Sequence, residues 1–405
     1  MTTLLSNLRV IEIATFVFAP GAGTVLSDFG AEVIHVEPPG IGDPYRKLSQ
    51  LRPLPESEEN YCWELDSRNK KSVVVDLKSQ QGYSVIEKLI KSADVLITNY
   101  HPSVLQELHL TYEEAKKINP EIVYAHATGY GEKGEECEKP GYDATAWWAR
   151  SGLMDAVRPE GAELALATPA MGDHPSSLAL VSGIMMALYA RVGSGKGTKV
   201  SSSLMANGIW ANGILVQAAL SKNTRFFKTT QATTSNAMLN HYVCSDGRSF
   251  FLALIKEEFE FPTFCDAIGL GDLKHDERFS KLSNRRENSL ELVFILNEHF
   301  RREPLSFWRK KFDEHKITYG HINTVEDVIN DRQMKDNNIF LEFSGSPGKR
   351  VVNSPFEISN HKKAPPKMPP NLGEHTYEIL GGLGYSSQEL ENMNSAKAIF
   401  IGSDK

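Results

Sequence analysis

The chain has 405 residues, 41% of them hydrophobic, and its formal net charge is −7. This length suits two domains with a substantial core, and the negative charge argues against a general nucleic-acid or anionic-membrane binder. The four cysteines are scattered, the histidines show no metal-ligand spacing, and the apolar runs fall short of the ~20 residues that span a membrane. The first residues also lack the basic segment of a signal peptide. These features predict a cytoplasmic protein with no metal site.

In the first half of the chain, short β-branched runs alternate with stretches of helical spacing. Residues 80–94 carry one apolar stripe, and Thr111 and Glu114 predict a capping box at the start of another helix. The predicted strands are 8–14, 31–37, 72–77, 94–99, 121–127 and 197–203. This alternation predicts an α/β fold with a doubly wound, mostly parallel sheet, in which ligands bind at the carboxyl ends of the strands.

The pattern changes after residue 225. Residues 241–254 predict two strands joined by a Ser-Asp-Gly turn, and charged helices follow. We therefore predict a large domain over 1–224, completed by 331–405, and a smaller α/β domain over 225–330. A proline-rich, extended connector at 359–376 leads to two short terminal helices.

Two glycine patterns resemble phosphate-binding loops. Gly21 and Gly23 match the start of a dinucleotide fingerprint, but the bulky Leu26 occupies the third glycine position. In "GSGKGT" (193–198), Gly197 stands where a P-loop needs Ser or Thr. The first pattern gives little support for a nicotinamide cofactor, and the second predicts a turn.

Residues 169–191, "PAMGDHPSSLALVSGIMMALYAR", place Asp173 and His174 before a long apolar helix. Asp is a favoured N-cap, and Pro175 fits the first helical turn, so a structural role explains the placement. A carboxylate at the entrance to a buried helix is also suited to catalysis. Local sequence leaves both interpretations open.

Several segments together resemble the class III CoA-transferases, which include the formyl-CoA, carnitine and 2-hydroxyacyl-CoA transferases. They occur in the family's order, from about residue 5 to residue 395. The segments are 8–46, "NKKSVVVDLKS" (69–79), "GYGEKG" (129–134), "PGYDATAWWARSG" (140–152), "GDH" (172–174) and "GEHTYEILGGLGYS" (373–386). The "GYGEKG" and "GDH" segments are most similar to the branch that acts on (R)-2-hydroxyacids such as phenyllactate or hydroxyisocaproate.

The resemblance implies transfer of CoA from an acyl-CoA to a free carboxylic acid, through an aspartyl-CoA thioester on Asp173. It implies no permanently bound cofactor, since CoA is a substrate and product, and it implies an interlocked homodimer. By resemblance, Tyr142, Asp143 and His174 are candidates for catalytic support. The candidate CoA-binding residues are Thr15, Phe16, Val17, Phe18, Ala19, Val75, Lys78, Asn99 and Tyr100.

Some positions depart from the family pattern. Glu107 stands where a basic residue near the CoA phosphates is common, and Pro38 and Pro39 stand where some members carry Arg. His101 or Lys47 are alternatives for the phosphate contact. The glycine-rich loop of formyl-CoA transferases is also missing, which argues against oxalate or formate as substrates.

Two other functions remain open at the level of sequence. An α-methylacyl-CoA racemase shares the fold, but Tyr142 stands where the family's racemases carry a catalytic His. A non-catalytic acyl-CoA-binding protein is the third possibility, and the intact Asp173 argues against it. The acids that are exchanged are not defined by the sequence.

Overall fold

A computed structural model describes residues 3–52 and 54–402, which form two compact units. Unit 1 comprises Met1–Ala156, Ala165–Lys222 and Lys335–Lys405, and unit 2 comprises Val157–Leu164 and Asn223–Met334. The sequence pattern places residues 157–164 in the large domain, whereas the structure places them in unit 2. The Glu160 amide donates a hydrogen bond to the Thr229 carbonyl there, a contact across many residues that local sequence does not indicate.

The strands of unit 1 are β1 (Arg9–Ile13), β2 (Glu32–Glu37), β3 (Lys71–Val75), β4 (Val95–Thr98), β5 (Val123–Thr128), β6 (Lys199–Ser203), β10 (Phe340–Glu342), β11 (Arg350–Val352) and β12 (Ile399–Phe400). Those of unit 2 are β7 (Leu239–Val243), β8 (Ser249–Ala253) and β9 (Tyr319–His321).

The helices up to residue 222 are α1 (Phe18–Asp28), α2 (Tyr61–Ser67), α3 (Gln80–Lys91), α4 (Pro102–Glu107), α5 (Tyr112–Ile118), α6 (Leu153–Ala156), α7 (Asp173–Ser194), α8 (Leu204–Ala211) and α9 (Gly213–Ala219). The later helices are α10 (Glu257–Ala267), α11 (Leu282–Glu287), α12 (Ser289–Phe300), α13 (Leu305–His315), α14 (Val325–Asn330), α15 (Arg332–Asp336), α16 (Thr376–Gly382) and α17 (Ser387–Ser395). A π-helical segment covers Asp143–Ala149, and 3₁₀ segments cover Pro44–Gln50 and Gly271–Lys274.

The large sheet of unit 1 has the strand order β12-β3-β2-β1-β4-β5-β6. The six strands predicted from β-branched runs are all present and mutually parallel, and only β12 runs antiparallel, against β3. The α/β prediction with a mostly parallel sheet is therefore confirmed. From β1 the chain adds β2 and β3 on one side and then crosses back to add β4, β5 and β6 on the other side. The gap between β1 and β4 is therefore the switch point, where ligands bind in doubly wound folds.

Both faces of this sheet are buried, as a parallel sheet requires. Along β1 the side chains alternate, so that Ile11 packs with α3 on one face and Val10 packs with α1 and α7 on the other. The apolar stripe predicted for residues 80–94 is confirmed, because Val85, Ile86, Leu89 and Ile90 are fully buried.

Close packing explains the glycines that resemble a dinucleotide fingerprint. A Cβ at Gly23 would lie 1.9 Å from Glu12 Oε2, and a Cβ at Gly21 would lie 2.5 Å from Ser177 Oγ. These glycines let α1 approach the sheet and α7. At the end of α7, Gly195 has a left-handed φ of 63°, which confirms the turn predicted for residues 193–198.

Two buried ion pairs join the segment after α2 to the sheet and to α1. Arg68 binds the two carboxylate oxygens of Asp28 at 2.9 and 2.7 Å, and both side chains are almost fully buried. Lys70 Nζ lies 3.0 Å from both carboxylate oxygens of Glu12. Buried charges of this kind are tolerated only when they are paired.

Unit 2 contains a three-stranded antiparallel sheet in the order β7-β8-β9. The predicted hairpin is confirmed, with Gly247 at a φ of 74° in its turn. Aromatic side chains dominate the core, and Phe250 and Phe300 meet edge to face at 4.9 Å between ring centroids.

Among the described residues, α7 is the one helix whose length and composition would suit a membrane span. Its most apolar stretch of 18 residues has a mean hydropathy of 1.4, and 33% of that stretch is buried. The prediction that no apolar run approaches this length was wrong for α7. A core helix of a soluble protein passes the same test, so this finding does not define α7 as a membrane segment.

Candidate active site

A narrow cavity of about 90 Å³ opens at the switch point of the large sheet. Its wall combines the loop after β1, the loop after β4 and the first residue of α7. The lining residues named as site candidates by the sequence are Phe16, Val17, Phe18, Asn99, Tyr100, Tyr142 and Asp173. Residues from four separate segments of the chain therefore meet where the strand order predicts a ligand.

Hydrogen bonds fix the loop that follows β1. The Thr15 amide donates to Asn99 Oδ1 at 3.0 Å, and Asn99 Nδ2 donates to the Thr15 carbonyl at 2.7 Å. Phe16 adopts a left-handed φ of 64°, and its amide donates to Asp43 Oδ1 at 3.3 Å. A non-glycine residue at positive φ is strained, and this strain concentrates at functional loops. Asn99 thus holds the loop with both ends of its amide.

Asp173 is the first residue of α7, and Gly172 is the N-cap. No side-chain hydrogen bond caps this end within the part of the chain that the structure describes, so the N-cap interpretation of Asp173 was wrong. A Cβ at Gly172 would lie 2.5 Å from the Trp147 ring, which explains why glycine precedes Asp173. The Asp173 side chain instead lines the cavity.

Ser177 ties the start of α7 to the start of α1. Its hydroxyl lies 2.9 Å from the Asp173 carbonyl and 2.7 Å from the Phe18 carbonyl. One hydroxyl thus bridges the segment that carries Asp173 and the loop that lines the opposite wall. This contact limits movement of Asp173 relative to the loop after β1.

The environment of Asp173 raises its pKa to about 7. Burial is the largest cause because it disfavours the charged form, and the carboxylates of Asp143 and Asp66 act in the same direction, whereas His174 lowers the value. One carboxylate oxygen of Asp143 is buried and has no hydrogen-bond partner among the described residues. A more basic carboxylate is a better nucleophile when ionised, so the arrangement suits covalent catalysis.

His174 lines a second cavity of about 480 Å³ with Asp66 and Arg68, and it is not among the residues that line the Asp173 cavity. Its Nε2 lies 3.1 Å from Asp66 Oδ1. The other oxygen of Asp66 accepts a 2.5 Å hydrogen bond from the Tyr45 hydroxyl. Tyr45 and Asp66 are both buried, whereas His174 is partly exposed.

The remaining sequence-predicted CoA-site residues lie elsewhere. Ala19 and Val75 are fully buried, so the Val75 side chain is unavailable to a ligand. Lys78 lies in a separate hollow of about 380 Å³, where its Nζ is 3.6 Å from Glu107 Oε1. His101, an alternative for the phosphate contact, lines the cavity with Asp173.

The structure also adds residues to the site that the motifs did not indicate. Thr128, Cys137 and Pro102 line the Asp173 cavity. Thr128 ends β5, so the rule that ligands bind at strand ends could have found it. Cys137 lies in an irregular loop and carried no such signal. Among the described residues, no cluster of three or more His, Cys, Asp or Glu side chains could hold a metal ion.

A mostly parallel sheet with a cavity at its switch point is the arrangement in which doubly wound α/β proteins bind nucleotide-bearing ligands. Residues 5–376 match the family model for CoA-transferase family III, and the chain belongs to this family. It is a CoA-transferase, and its substrates are CoA thioesters.

Proteins of known activity are similar over their full length. The chain is 32% identical to the cinnamoyl-CoA:phenyllactate CoA-transferase of Clostridium sporogenes, covering 100% of this chain and 99% of the relative. It is 31% identical to the (R)-2-hydroxy-4-methylpentanoate CoA-transferase of Clostridioides difficile, covering 98% and 99%. A CAIB/BAIF family crystal structure from Brucella suis matches 95% of this chain and 100% of its own, with a TM-score of 0.83 and 28% identity.

Proposed function

We propose that this protein transfers CoA from an acyl-CoA thioester to a free carboxylic acid through an aspartyl-CoA thioester on Asp173. The observation that carries the proposal is the Asp173 carboxylate, which lines the switch-point cavity with its pKa raised to about 7. Membership of CoA-transferase family III supports the reaction class. Incubation with an acyl-CoA donor, followed by mass spectrometry of the peptide that contains Asp173, tests the intermediate.

The proposed reaction has two symmetric halves. The Asp173 carboxylate attacks the thioester carbonyl, which forms a mixed anhydride and releases CoA thiolate. The thiolate then attacks the Asp173 carbonyl, which forms the aspartyl-CoA thioester and releases the donor acid as a carboxylate. The incoming acid attacks that thioester, and the released thiolate attacks the incoming acyl group. The products are the new acyl-CoA and the free Asp173 carboxylate.

Surrounding groups have distinct proposed roles in these steps. The N-terminus of α7 places the positive end of a helix dipole beside Asp173, where negative charge develops in each tetrahedral intermediate. The Asp143 carboxylate acts against the ionisation of Asp173 and so increases its basicity. Tyr142 meets Phe16 edge to face at 5.9 Å and closes the wall beside the acyl group.

We propose (R)-2-hydroxyacids with apolar side chains as the acceptor class. The loop after β1 contributes Phe16 and Phe18 to the cavity wall, and these aromatic side chains favour an apolar neighbour. Two relatives are named for phenyllactate and for 2-hydroxy-4-methylpentanoate, acids that share this chemistry. Exchange rates with a panel of donors and acids would define the substrates.

Replacing Lys78 with alanine should raise the KM for acyl-CoA several-fold and leave kcat nearly unchanged. Lys78 is largely exposed in a hollow away from Asp173, as a contact to the nucleotide end of CoA would be, and uniform binding contacts act on KM. Steady-state kinetics would measure both constants, with the exposed Lys316→Ala variant as control. An unchanged KM would remove Lys78 from the CoA site.

The reaction should be CoA transfer without racemisation at the α-carbon. Tyr142 stands where the family's racemases carry a catalytic His, and a phenol is a much poorer general base at neutral pH than an imidazole. Prolonged incubation of a 2-methylacyl-CoA in deuterium oxide should give no α-deuteration while CoA exchange to an added acid proceeds. Rapid deuteration without an acceptor acid would instead favour the racemase.

The protein should be a homodimer in solution. Helices α7, α8 and α9 leave Met186, Tyr189, Val192, Trp210 and Ile214 between 69% and 87% exposed. Apolar surface of this extent is typical of an interface between subunits. Light scattering should give twice the 45.1 kDa mass of one chain. A stable, active monomer would refute the dimer.

We also propose a cytoplasmic location. All four cysteines are free in the structure, and Cys62, Cys244 and Cys265 are buried. Free thiols are typical of proteins in reducing compartments. This location would place the enzyme with the cellular pool of CoA thioesters.

A further inference from the structure

The side chain of Asp66, near the end of α2, is buried. One carboxylate oxygen contacts His174 Nε2 at 3.1 Å, and the other accepts the 2.5 Å hydrogen bond from Tyr45. Removing a carboxylate from water costs several kcal/mol, so a buried ion pair is weak evidence for a purely stabilising role. His174, one member of this pair, directly follows Asp173, the proposed nucleophile, in the sequence.

We propose that Asp66, oriented by Tyr45, holds the His174 imidazole as a cation beside Asp173, so that Tyr45 and Asp66 are positioning residues for the nucleophile. This inference rests on the proposed function of Asp173. The cation favours the ionised Asp173 carboxylate and stabilises the anionic intermediates formed on it. Asp66 acts through His174 and takes no part in bond making.

The charges around the pair agree with this arrangement. Burial alone would lower the pKa of His174, but the hydrogen bond to Asp66 and the charges of Asp66 and Asp173 raise it, against a smaller opposing effect of Arg68. Burial would raise the pKa of Asp66, but the hydrogen bonds from His174 and Tyr45 and the charge of Lys70 lower it. His174 in turn lowers the pKa of Asp173. Asp66 and Asp173 therefore favour the cationic form of His174, and His174 favours the ionised form of both, whereas the direct effect of Asp66 on Asp173 opposes ionisation.

The variant Asp66→Asn removes the charge and keeps the shape. The pKa of His174 should fall, because burial lowers it and the hydrogen bond and charge of Asp66 oppose that effect in the wild type. His174 should therefore lose its proton at a lower pH in Asp66→Asn than in the wild type. The rate of adduct formation on Asp173, relative to the wild type, should therefore fall about tenfold at pH 8 and by less at pH 6. A structural defect alone would lower the rate equally at both pH values.

Two further variants separate charge from packing. Tyr45→Phe removes the hydrogen bond that orients Asp66 but keeps Asp66 charged, so it should lower the rate at pH 8 by less than Asp66→Asn does. His174→Gln should lower the rate at both pH values, and adding Asp66→Asn to it should cause no further loss, because the two residues act as one unit. Additive losses, or an alkaline loss in Tyr45→Phe equal to that in Asp66→Asn, would overturn the proposal.

Direct titration of His174 by NMR in the wild-type protein provides a measurement that needs no variant. A measured pKa of His174 above the ordinary ~6.5 for histidine supports the proposal. A pKa at or below that value overturns the proposal, even where Asp66→Asn fails to fold. The same titration separates this inference from the proposed function. If no CoA adduct forms on Asp173 but His174 titrates high, the covalent mechanism fails and the charged pair stands.

Discussion

Replacing Asp173 with alanine should lower CoA exchange by at least about 1,000-fold and abolish the CoA adduct, because no other group would carry the thioester. The variant should fold, since the Asp173 side chain makes no capping hydrogen bond and Gly172 is the N-cap. Alanine is preferable to asparagine, which could deamidate slowly to aspartate. Exchange rates and mass spectrometry of the peptide provide the measurement.

A matched control for this variant is Asp272→Ala in unit 2, where the aspartate is exposed. The control should exchange CoA at the wild-type rate, and thermal unfolding of both variants should remain close to that of the wild type. Activity of Asp173→Ala near the wild-type level would contradict the covalent mechanism.

Replacing Arg68 with methionine should lower the free energy of unfolding by about 3–5 kcal/mol, the usual cost of leaving a buried charge without its partner. Arg68 binds both carboxylate oxygens of Asp28, and methionine fills a similar volume without charge. The double variant Asp28→Asn/Arg68→Met should recover about half of the loss or more, because it no longer buries an unpaired charge. Urea unfolding curves measure each difference.

The exposed pair of Arg52 and Glu56 provides the comparison. Their side chains are 92% and 88% exposed and 3.8 Å apart, so Arg52→Met should change the free energy of unfolding by less than about 1 kcal/mol. Equal effects of Arg52→Met and Arg68→Met would show that burial does not govern the strength of the Arg68 pair.

Most of the large sheet could be predicted from the sequence because parallel strands are continuously apolar. Runs such as 8–14 and 72–77 are buried on both faces, which leaves a clear local signal. The sequence signals for the starts of helices are also local, and the capping box of Thr111 and Glu114 is present as predicted. The predicted strand boundaries lie close to the observed ones because these signals depend only on neighbouring residues.

The candidate site was harder to predict because its contacts are long-range. Asp66 and His174 meet across 108 positions of the chain, and neither the spacing nor the neighbours of Asp66 indicate this contact. Similarly, Val75 is the last residue of the buried strand β3, and its side chain faces the core. A resemblance between motifs could not show this orientation. Asp173 was identified from its motif, but its pKa depends on Asp143 and Asp66, which only the fold brings near.

The antiparallel strand β12 has a consequence for how the chain folds during synthesis. It covers the edge of β3 together with residues 373–376, where the Gly373 amide donates to Ser72 Oγ and the Val74 amide donates to Thr376 Oγ1. These residues leave the ribosome after the strands of unit 2, which lie between residues 239 and 321. Until then β3 remains an unpaired edge, which is a template for pairing with other nascent chains. The synthesis of β12 therefore determines when the β3 edge of the large sheet is protected from pairing with other chains.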